Sequence, residues 1–285
     1  MTQLLPDQLR DLWQSIEAKA RPADDYERMK DEWFAQYKAE WKQSLILPGQ
    51  SDLKQSLLSE LAQYLKLSPG EVERRCKNAS SEITKEWDAS VREEDRTSVE
   101  AFYNKSAAEI YGLLWWHTLE DDLTPLSYLA ARKFAVARRC KRYLDFGSGV
   151  GSGALLFRHA GFAATCADIS SPMLNFCQFR FELRNWPGSF IDLKAQPLPA
   201  MEYDFITAMD VFEHLFDPLE AAERLINALK PGGYLMGRWA IEEHDERRGH
   251  IVKDLRPTIA RMKDLGMTEV WRDDWLWGHQ VFQKE

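Results

Sequence analysis

The amino-acid sequence predicts an α/β fold, a doubly wound and mainly parallel sheet, with an all-α N-terminal domain or cap. Residues 1–125 carry apolar side chains at helical spacing and show no convincing strand. From Lys141 onward, short apolar strands alternate with helical segments, which is typical of a parallel sheet with helices on both faces. Where the two parts meet, an apolar strand ends in Asp145 and enters a loop with glycine at every second position.

Length and charge restrict the classes of function. The 285 residues suffice for one large domain or two modest ones, and we place the boundary between residues 1–125 and residues 126–285. The net charge of −8 gives no indication of a nucleic-acid partner. The sequence has no apolar run near the roughly 20 residues that span a bilayer. The four cysteines form no Cys-x-x-Cys pair, so we expect reduced thiols in a cytoplasmic protein. The oligomeric state stays open.

The N-terminal part reads as successive helices. Apolar spacing predicts an opening helix over residues 4–16 and a longer one over residues 26–41. A third helix is predicted over residues 53–65 with Ser51 as its N-cap. The segment Ser68-Pro69-Gly70-Glu71 repeats that signal, because a cap serine is followed by proline in the first turn.

The C-terminal part supplies the strands and helices of the predicted sheet. A helix begins near Thr124 and ends near Arg138, directly before the first strand. The later strands are predicted at residues 164–167, 190–193, 203–209, 234–240, 267–271 and 279–282.

The glycine-rich loop predicts a nucleotide-binding turn. Strand, glycine turn and helix N-terminus together allow close backbone approach and leave N–H groups free for a ligand. A dinucleotide fingerprint also fits Gly149, Gly151 and Ala154, so the glycines alone leave the ligand open. The carboxylate of Asp145, two residues before Gly147, favours a cationic ligand over a pyrophosphate, which it would repel.

Five motifs then agree in order and spacing. They are Asp145-Phe146-Gly147-Ser148-Gly149-Val150-Gly151, Asp168, Asp192, Asp210-Val211-Phe212-Glu213-His214 and Leu229-Lys230-Pro231-Gly232-Gly233. Over residues 140–285 this series resembles the class I S-adenosylmethionine (SAM)-dependent methyltransferases, in the branch that acts mostly on small molecules. The resemblance implies a Rossmann-like sheet that binds SAM and a small-molecule substrate.

The resemblance also implies roles for individual residues. The loop of Gly147, Ser148, Gly149 and Gly151 is expected along the methionine part and ribose of SAM. Asp145 is expected to hold the amino group, directly or through water, and Asp168 to bind the ribose hydroxyls. The other expected contacts are Ile169 and Met173 against the adenine, Asp192 and Leu193 at its amino group, and Met209, Asp210 and Phe212 toward the methionine and reacting end.

The segment over residues 98–119 is rich in aromatic side chains. At helical spacing Tyr103 and His117 fall on one side, with Tyr111 adjacent. One interpretation is a buried packing helix. The other is a lid in which Tyr103, Trp115 and Trp116 cover the sulfonium by cation–π attraction. The candidate catalytic bases are His117, His214 and Tyr111, and the sequence does not choose among them.

Three functions are compatible with these motifs. Methyl transfer from SAM to a small metabolite or natural-product intermediate is the leading one. The alternatives are cyclisation of SAM to azetidine-2-carboxylate and methylthioadenosine, and a non-catalytic SAM-binding protein. No metal is expected, because we interpret the mixed charge run Glu242, Glu243, His244, Asp245, Glu246 and His250 as a solvated loop.

Overall fold

The computed structural model describes residue 11, residues 14–15, 23–239, 249–273 and 278–285. Its α-helices are α1 (Ala23–Leu45), α2 (Leu53–Leu65), α3 (Pro69–Ser90), α4 (Arg96–Lys105), α5 (Glu109–His117), α6 (Ser127–Ala137), α7 (Ser152–His159), α8 (Ser171–Leu183), α9 (Pro218–Ala228) and α10 (Arg256–Asp264). Its strands are β1 (Arg142–Phe146), β2 (Ala163–Asp168), β3 (Ser189–Asp192), β4 (Tyr203–Ala208), β5 (Leu229–Arg238), β6 (Met267–Arg272) and β7 (His279–Lys284). Two short 3₁₀ turns lie at Thr124–Leu126 and Phe212–His214.

The seven strands form one sheet in the order β3-β2-β1-β4-β5-β7-β6. The strands from β3 to β5 are parallel, and β7 runs antiparallel to both β5 and β6. Strand β1 lies between β2 and β4, so Asp145 pairs with Cys166 on one side and Thr207 on the other. The connections reverse direction at this point, which is where doubly wound sheets bind ligands. The predicted fold class is confirmed.

The helix caps show how local sequence fixes the N-terminal part. Helix α3 begins as predicted, because the Ser68 side chain accepts a hydrogen bond from the Glu71 N–H at 3.2 Å. The prediction of Ser51 as the cap of α2 was wrong by one residue. The cap is Asp52, whose carboxylate accepts from the Gln55 N–H at 2.8 Å. The opening helix predicted over residues 4–16 lies almost entirely outside the described residues.

The aromatic segment is two helices, where one continuous helical spacing was expected. Helix α4 ends at Lys105, and the Ser106 N–H bonds to the Phe102 carbonyl at 2.7 Å. The Ser106 hydroxyl then accepts from the Glu109 N–H at 3.2 Å, at the start of α5. Serine competes with continued helix by bonding the backbone in this way. Tyr103 and His117 therefore belong to different helices.

The N-terminal helices share a hydrophobic core with one face of the sheet. A single buried cluster contains Trp41 from α1, Leu57 from α2, Leu114 from α5, Tyr143 from β1 and Phe157 from α7. Burying side chains of this size contributes roughly 1.5–3 kcal/mol each. The division of the chain near residue 125 stays a prediction, because this core extends across it. Every helix among the described residues is too short or too polar to cross a membrane.

A buried ionic cluster joins α2 to α8. Arg180 Nε donates to Glu60 Oε2 at 2.7 Å, and Arg184 Nη2 donates to Glu60 Oε1 at 2.7 Å. All three side chains are at most 2% exposed. Arg180 Nη1 also donates to the Val150 carbonyl at 2.6 Å and to Ser152 Oγ at 2.9 Å. The cluster therefore connects the N-terminal helices to the glycine-rich loop.

Removing the carboxylate of this cluster should be severely destabilising. Glu60→Ala leaves two buried guanidinium groups without their counter-charge, so we expect the free energy of unfolding in urea to fall by about 3–5 kcal/mol. The control is Glu100→Ala, which removes a half-exposed ion pair with Arg96. That change should cost at most about 1 kcal/mol. Equal losses for the two variants would contradict a structural role for Glu60.

Candidate functional site

A cavity of about 730 Å³ lies at the carboxyl edge of the parallel strands. Its floor is the loop after β1 together with the residues that follow β2 and β4. Its walls come from α3, α4, α5 and the start of α6. Residues from both the helical part and the sheet are needed to enclose it.

The glycine-rich loop adopts a backbone that requires glycine. Gly147, Gly149 and Gly151 have φ angles of 70°, 50° and 75°, which L residues with side chains rarely adopt. A Cβ at Gly149 would lie 2.9 Å from Leu113 Cδ1. At Gly151 it would lie 2.1 Å from Cys177 Sγ. The loop backbone is thus pressed between α5 and α8 and borders the cavity at Gly147, Ser148 and Gly149.

Asp168 stands at the end of β2, beside this loop. Its Oδ2 accepts from the Gly149 N–H at 2.8 Å, and its Oδ1 accepts from the Ser170 N–H at 2.7 Å. Burial raises the pKa of Asp168, and these backbone bonds oppose that rise. Two backbone donors fix the carboxylate at the cavity wall.

Asp145 lies beneath the loop. It is fully buried, and its Oδ1 accepts from Thr207 Oγ1 at 3.1 Å and from the Tyr128 hydroxyl at 3.3 Å. Burial raises the pKa of Asp145 to about 7, although these hydrogen bonds lower it. Asp145 is outside the described cavity lining, whereas Tyr128 belongs to it.

The other predicted SAM contacts divide into two groups. Those that line the cavity are Ile169, Met173, Leu193, Met209 and Asp210. Gly151, Asp192 and Phe212 lie outside the described lining. The Asp192 carboxylate accepts from Ser171 Oγ at 2.7 Å and from the Lys194 N–H at 3.0 Å. Phe212 packs against Trp239, with ring centroids 4.2 Å apart.

Only part of the predicted aromatic lid lines the cavity. Tyr103 and Trp116 line the cavity, whereas Trp115 lies outside the described lining. Trp115 Nε1 donates to Asp121, and Lys54 and Lys77 lie over its ring. Trp115 therefore contacts charged side chains of the surface.

The three candidate bases differ in position. His117 and His214 line the cavity, and Tyr111 lies outside the described lining. The Tyr111 hydroxyl accepts from Arg75 Nη1 at 3.1 Å. Burial, with the charge of Arg180, lowers the pKa of His117 to about 3.

His214 has a defined tautomer. Its Nδ1 lies 2.9 Å from the Gly249 carbonyl oxygen, and a carbonyl oxygen can only accept. Nδ1 therefore carries the proton, which leaves the Nε2 lone pair of the neutral ring as its basic site. The Tyr103 hydroxyl oxygen lies 3.1 Å from the same Nδ1.

Glu109 and Tyr128 are among the cavity residues that the sequence analysis did not single out. Glu109 lines the cavity, and burial raises its pKa to about 6. In the sequence, Glu109 directly precedes the apolar run Ile110-Tyr111-Gly112-Leu113-Leu114. A carboxylate in that position indicates a buried acid. Tyr128 contacts Asp145 across 17 residues of sequence, and no local pattern reveals that pairing.

Glu213, His214 and His250 form a group in which one potential ligand atom from each lies within 4.8 Å of the others. Imidazole and carboxylate are ligands of zinc and other divalent metals. The expectation of a metal-free site therefore stays a prediction. Of the charge run in which His250 occurs, the remaining named positions, residues 242–246, lie outside the described residues.

One family model matches this chain. A family model described as "Methyltransferase domain" matches residues 115–262, more than half of the 285 residues. No curated protein matches the chain.

Solved structures that are similar include three methyltransferases. The N-methyltransferase NodS from Bradyrhizobium japonicum WM9, in complex with S-adenosyl-L-homocysteine, is 18% identical over 66% of this chain and 97% of its own, with a TM-score of 0.49. Magnesium protoporphyrin IX methyltransferase (ChlM) from Synechocystis PCC 6803 with bound SAM is 18% identical over 69% of this chain and 99% of its own, with a TM-score of 0.49. A SAM-dependent methyltransferase from Aquifex aeolicus is 23% identical over 57% of this chain and 93% of its own, with a TM-score of 0.45.

The tautomer of His214 can be measured directly. We expect the ¹⁵N chemical shifts of its ring to show a protonated Nδ1 and an unprotonated Nε2 once the neutral form dominates. Comparison with His214→Gln assigns the signals. Protonated Nε2 in the neutral ring would contradict the geometry at Gly249.

Proposed function

The chain belongs to the methyltransferase domain family of class I SAM-dependent enzymes, and on that premise we propose that it methylates a small molecule bound in the cavity beside SAM. The observation that carries the proposal is the cavity at the carboxyl edge of the sheet, which brings together the glycine-rich loop, Asp168 and His214. Its volume of about 730 Å³ is in the range of small-molecule sites.

The residues present fit SAM. The glycine-rich loop borders the cavity at Gly147, Ser148 and Gly149, so its backbone can lie close along the ligand. Asp168 is held at the end of β2 by Gly149 and Ser170, where its carboxylate can accept the ribose hydroxyls. Ile169, Met173 and the Leu193 backbone would lie along the adenine. Asp192 would contribute to the adenine end indirectly. It accepts hydrogen bonds from Ser171 and Lys194 and would keep these two residues in position there.

The proposed reaction places few chemical demands on the protein. The sulfonium of SAM is already an activated donor, so the site must align the acceptor with the methyl group and exclude water. The acceptor's lone pair forms the new bond to the methyl carbon, the carbon–sulfur bond breaks, and adenosylhomocysteine leaves. A cavity walled by Trp87, Phe102 and Tyr103 suits this step, because aromatic faces attract a sulfonium cation.

The proton released by the acceptor needs a base, and we assign this role to His214. Its ring lines the cavity, and its Nε2 lone pair is set by the bond from Nδ1 to Gly249. His117 is a weak base, because burial lowers its pKa to about 3. Tyr111 is engaged with Arg75 instead. The Tyr103 hydroxyl, close to His214 Nδ1, would hold the imidazole in place.

The proposal also covers the role of the N-terminal helices, the location of the protein and its partners. We assign residues 1–125 the role of a cap, since α4 and α5 contribute walls to the cavity. A cytoplasmic location, a role in small-molecule biosynthesis and the absence of a nucleic-acid partner fit the reduced cysteines and the net charge of −8. The reaction as proposed uses no metal.

Asp168 gives the most direct test of SAM binding. We expect Asp168→Ala to weaken SAM binding by about 1.5–3 kcal/mol in calorimetry, because the ribose loses a charged acceptor. The control is Asp217→Ala, which removes an N-cap of α9 outside the cavity lining. That variant should lose stability of about 1 kcal/mol and keep its SAM affinity. Unchanged affinity in folded Asp168→Ala would refute the assignment.

A further inference from the structure

The charged side chains that line the cavity are mostly acidic. In the described part of the chain, five carboxylates line the cavity against one guanidinium. They are Glu109, Asp122, Asp168, Asp210 and Glu213, and the guanidinium is that of Arg238. Like charges repel across a cavity with low-dielectric walls, and opposite charges attract. The lining therefore disfavours an anionic acceptor and favours a cationic one.

Three of these carboxylates have hydrogen-bond donors within the protein. Asp210 accepts from Arg238 Nη1 at 3.1 Å. Asp122 accepts from Trp116 Nε1 at 3.1 Å. Asp168 accepts from two backbone N–H groups. Structural contacts within the chain account for the positions of these three acids.

The Glu109 carboxylate differs from these three. It accepts no hydrogen bond from the residues that the structure describes, and it forms no ion pair with them. Burial raises its pKa to about 6, and the charge of His214 opposes that rise. A buried carboxylate is costly unless a counter-charge or donors accompany it. A carboxylate that lines a cavity without a partner can obtain both from a bound ligand.

Glu109 lies on the side of the cavity that contains the proposed base. Its N–H donates to Ser106 Oγ at 3.2 Å, which fixes the residue at the start of α5. Burial, and after it the charge of Glu109, raises the pKa of Tyr103. The Tyr103 hydroxyl oxygen in turn lies 3.1 Å from His214 Nδ1. Glu109, Tyr103 and His214 therefore border the same part of the cavity.

Three aromatic rings enclose this part of the cavity. Trp87, Phe102 and Tyr103 all belong to its lining. The ring centroids of Trp87 and Phe102 lie 4.9 Å apart with the planes at 78°, and those of Phe102 and Tyr103 lie 5.4 Å apart with the planes at 81°. Nearly perpendicular rings present faces in different directions. Such faces attract an ammonium as well as a sulfonium, and a carboxylate beside them supplies the counter-charge.

We propose that the acceptor is an amine, whose ammonium group binds to the Glu109 carboxylate beside the rings of Phe102 and Tyr103. The inference rests on the proposed function, because it names the class of acceptor for the same cavity. An alcohol or an acid offers no positive charge to Glu109, and an acid is repelled by it.

The reaction with an amine follows from these positions. The bound ammonium first gives one proton to Nε2 of His214. The nitrogen lone pair then forms the bond to the methyl carbon, and the carbon–sulfur bond breaks with its electron pair on sulfur. The products are the methylated ammonium and adenosylhomocysteine. Positive charge thus moves from sulfur to nitrogen, where the Glu109 carboxylate stabilises it.

Binding of three matched probes to the protein with adenosylhomocysteine tests the class of acceptor. The probes are benzylamine, benzyl alcohol and benzoate, and their dissociation constants are measured by NMR titration. We expect benzylamine to bind about tenfold or more tightly than benzyl alcohol, and benzoate to bind most weakly. In Glu109→Gln the preference for benzylamine should disappear, while the affinity for benzyl alcohol stays unchanged.

Two further measurements separate ligand binding from a structural role. Calorimetry should show the same SAM affinity in Glu109→Gln as in the native protein. The free energy of unfolding in urea should be equal or higher in this variant, because it removes a buried charge without a partner. The control is Glu100→Gln, which changes a carboxylate of α4 outside the described lining and should keep the preference for benzylamine.

Several results would overturn the inference. They are absent or equal binding of benzylamine and benzyl alcohol, a preference that survives in Glu109→Gln, and a marked loss of stability in that variant. A loss of SAM affinity in folded Glu109→Gln would also overturn it, and would place the carboxylate at the cosubstrate. Failure of the native protein to bind SAM would refute the proposed function itself. SAM binding without a preference for the amine would refute only the class of acceptor.

Discussion

The buried contact of Glu60 with Arg180 and Arg184 is the constraint on which the rest of the structure depends. Buried charges are costly unless they are paired and fully hydrogen-bonded. Here the guanidinium groups also hold the carbonyls of Val150 and Leu45. The same contact therefore fixes α2 against α8 and the glycine-rich loop against both. It is a fully buried polar connection between the N-terminal helices and the loop that forms part of the cavity floor.

The cavity lining combines several kinds of chemistry. Glu109, Asp168 and His214 line it together with aromatic side chains and the backbone of the glycine-rich loop. Asp168 lies directly beside this loop, because its carboxylate accepts from the Gly149 N–H at 2.8 Å. The fold therefore holds a carboxylate and the loop backbone together at the wall where the proposed cosubstrate would bind.

The sequence predicted the features that depend on local pattern. Alternating strands and helices, the glycine turn and the strand-end position of Asp168 all follow from spacing between near neighbours. The Ser68 cap was predicted because its partner is three residues away. Ser51 was chosen over Asp52 because both can cap a helix, and only the geometry separates them.

Contacts between distant parts of the chain could not be predicted in this way. Glu60 and Arg180 are 120 residues apart, and nothing in the spacing of either indicates the other. The break at Ser106 depends on a side chain that bonds to the backbone, which apolar periodicity does not detect. Tyr111, Trp115 and Asp192 carry suitable chemistry, yet their side chains are engaged outside the described cavity lining. The residue type indicates which chemistry a side chain can perform. Its location relative to the cavity depends on how the distant elements pack, which the sequence pattern does not show.

The central claim is that the cavity binds SAM as a methyl donor for a second molecule. Incubation of the purified protein with SAM alone, followed by chromatography of the products, tests it most directly. We expect tight SAM binding with negligible turnover, because no acceptor is present, and adenosylhomocysteine as the product once a suitable acceptor is added. Methylthioadenosine above the uncatalysed background, matched by azetidine-2-carboxylate, would contradict methyl transfer and show that SAM is itself cyclised.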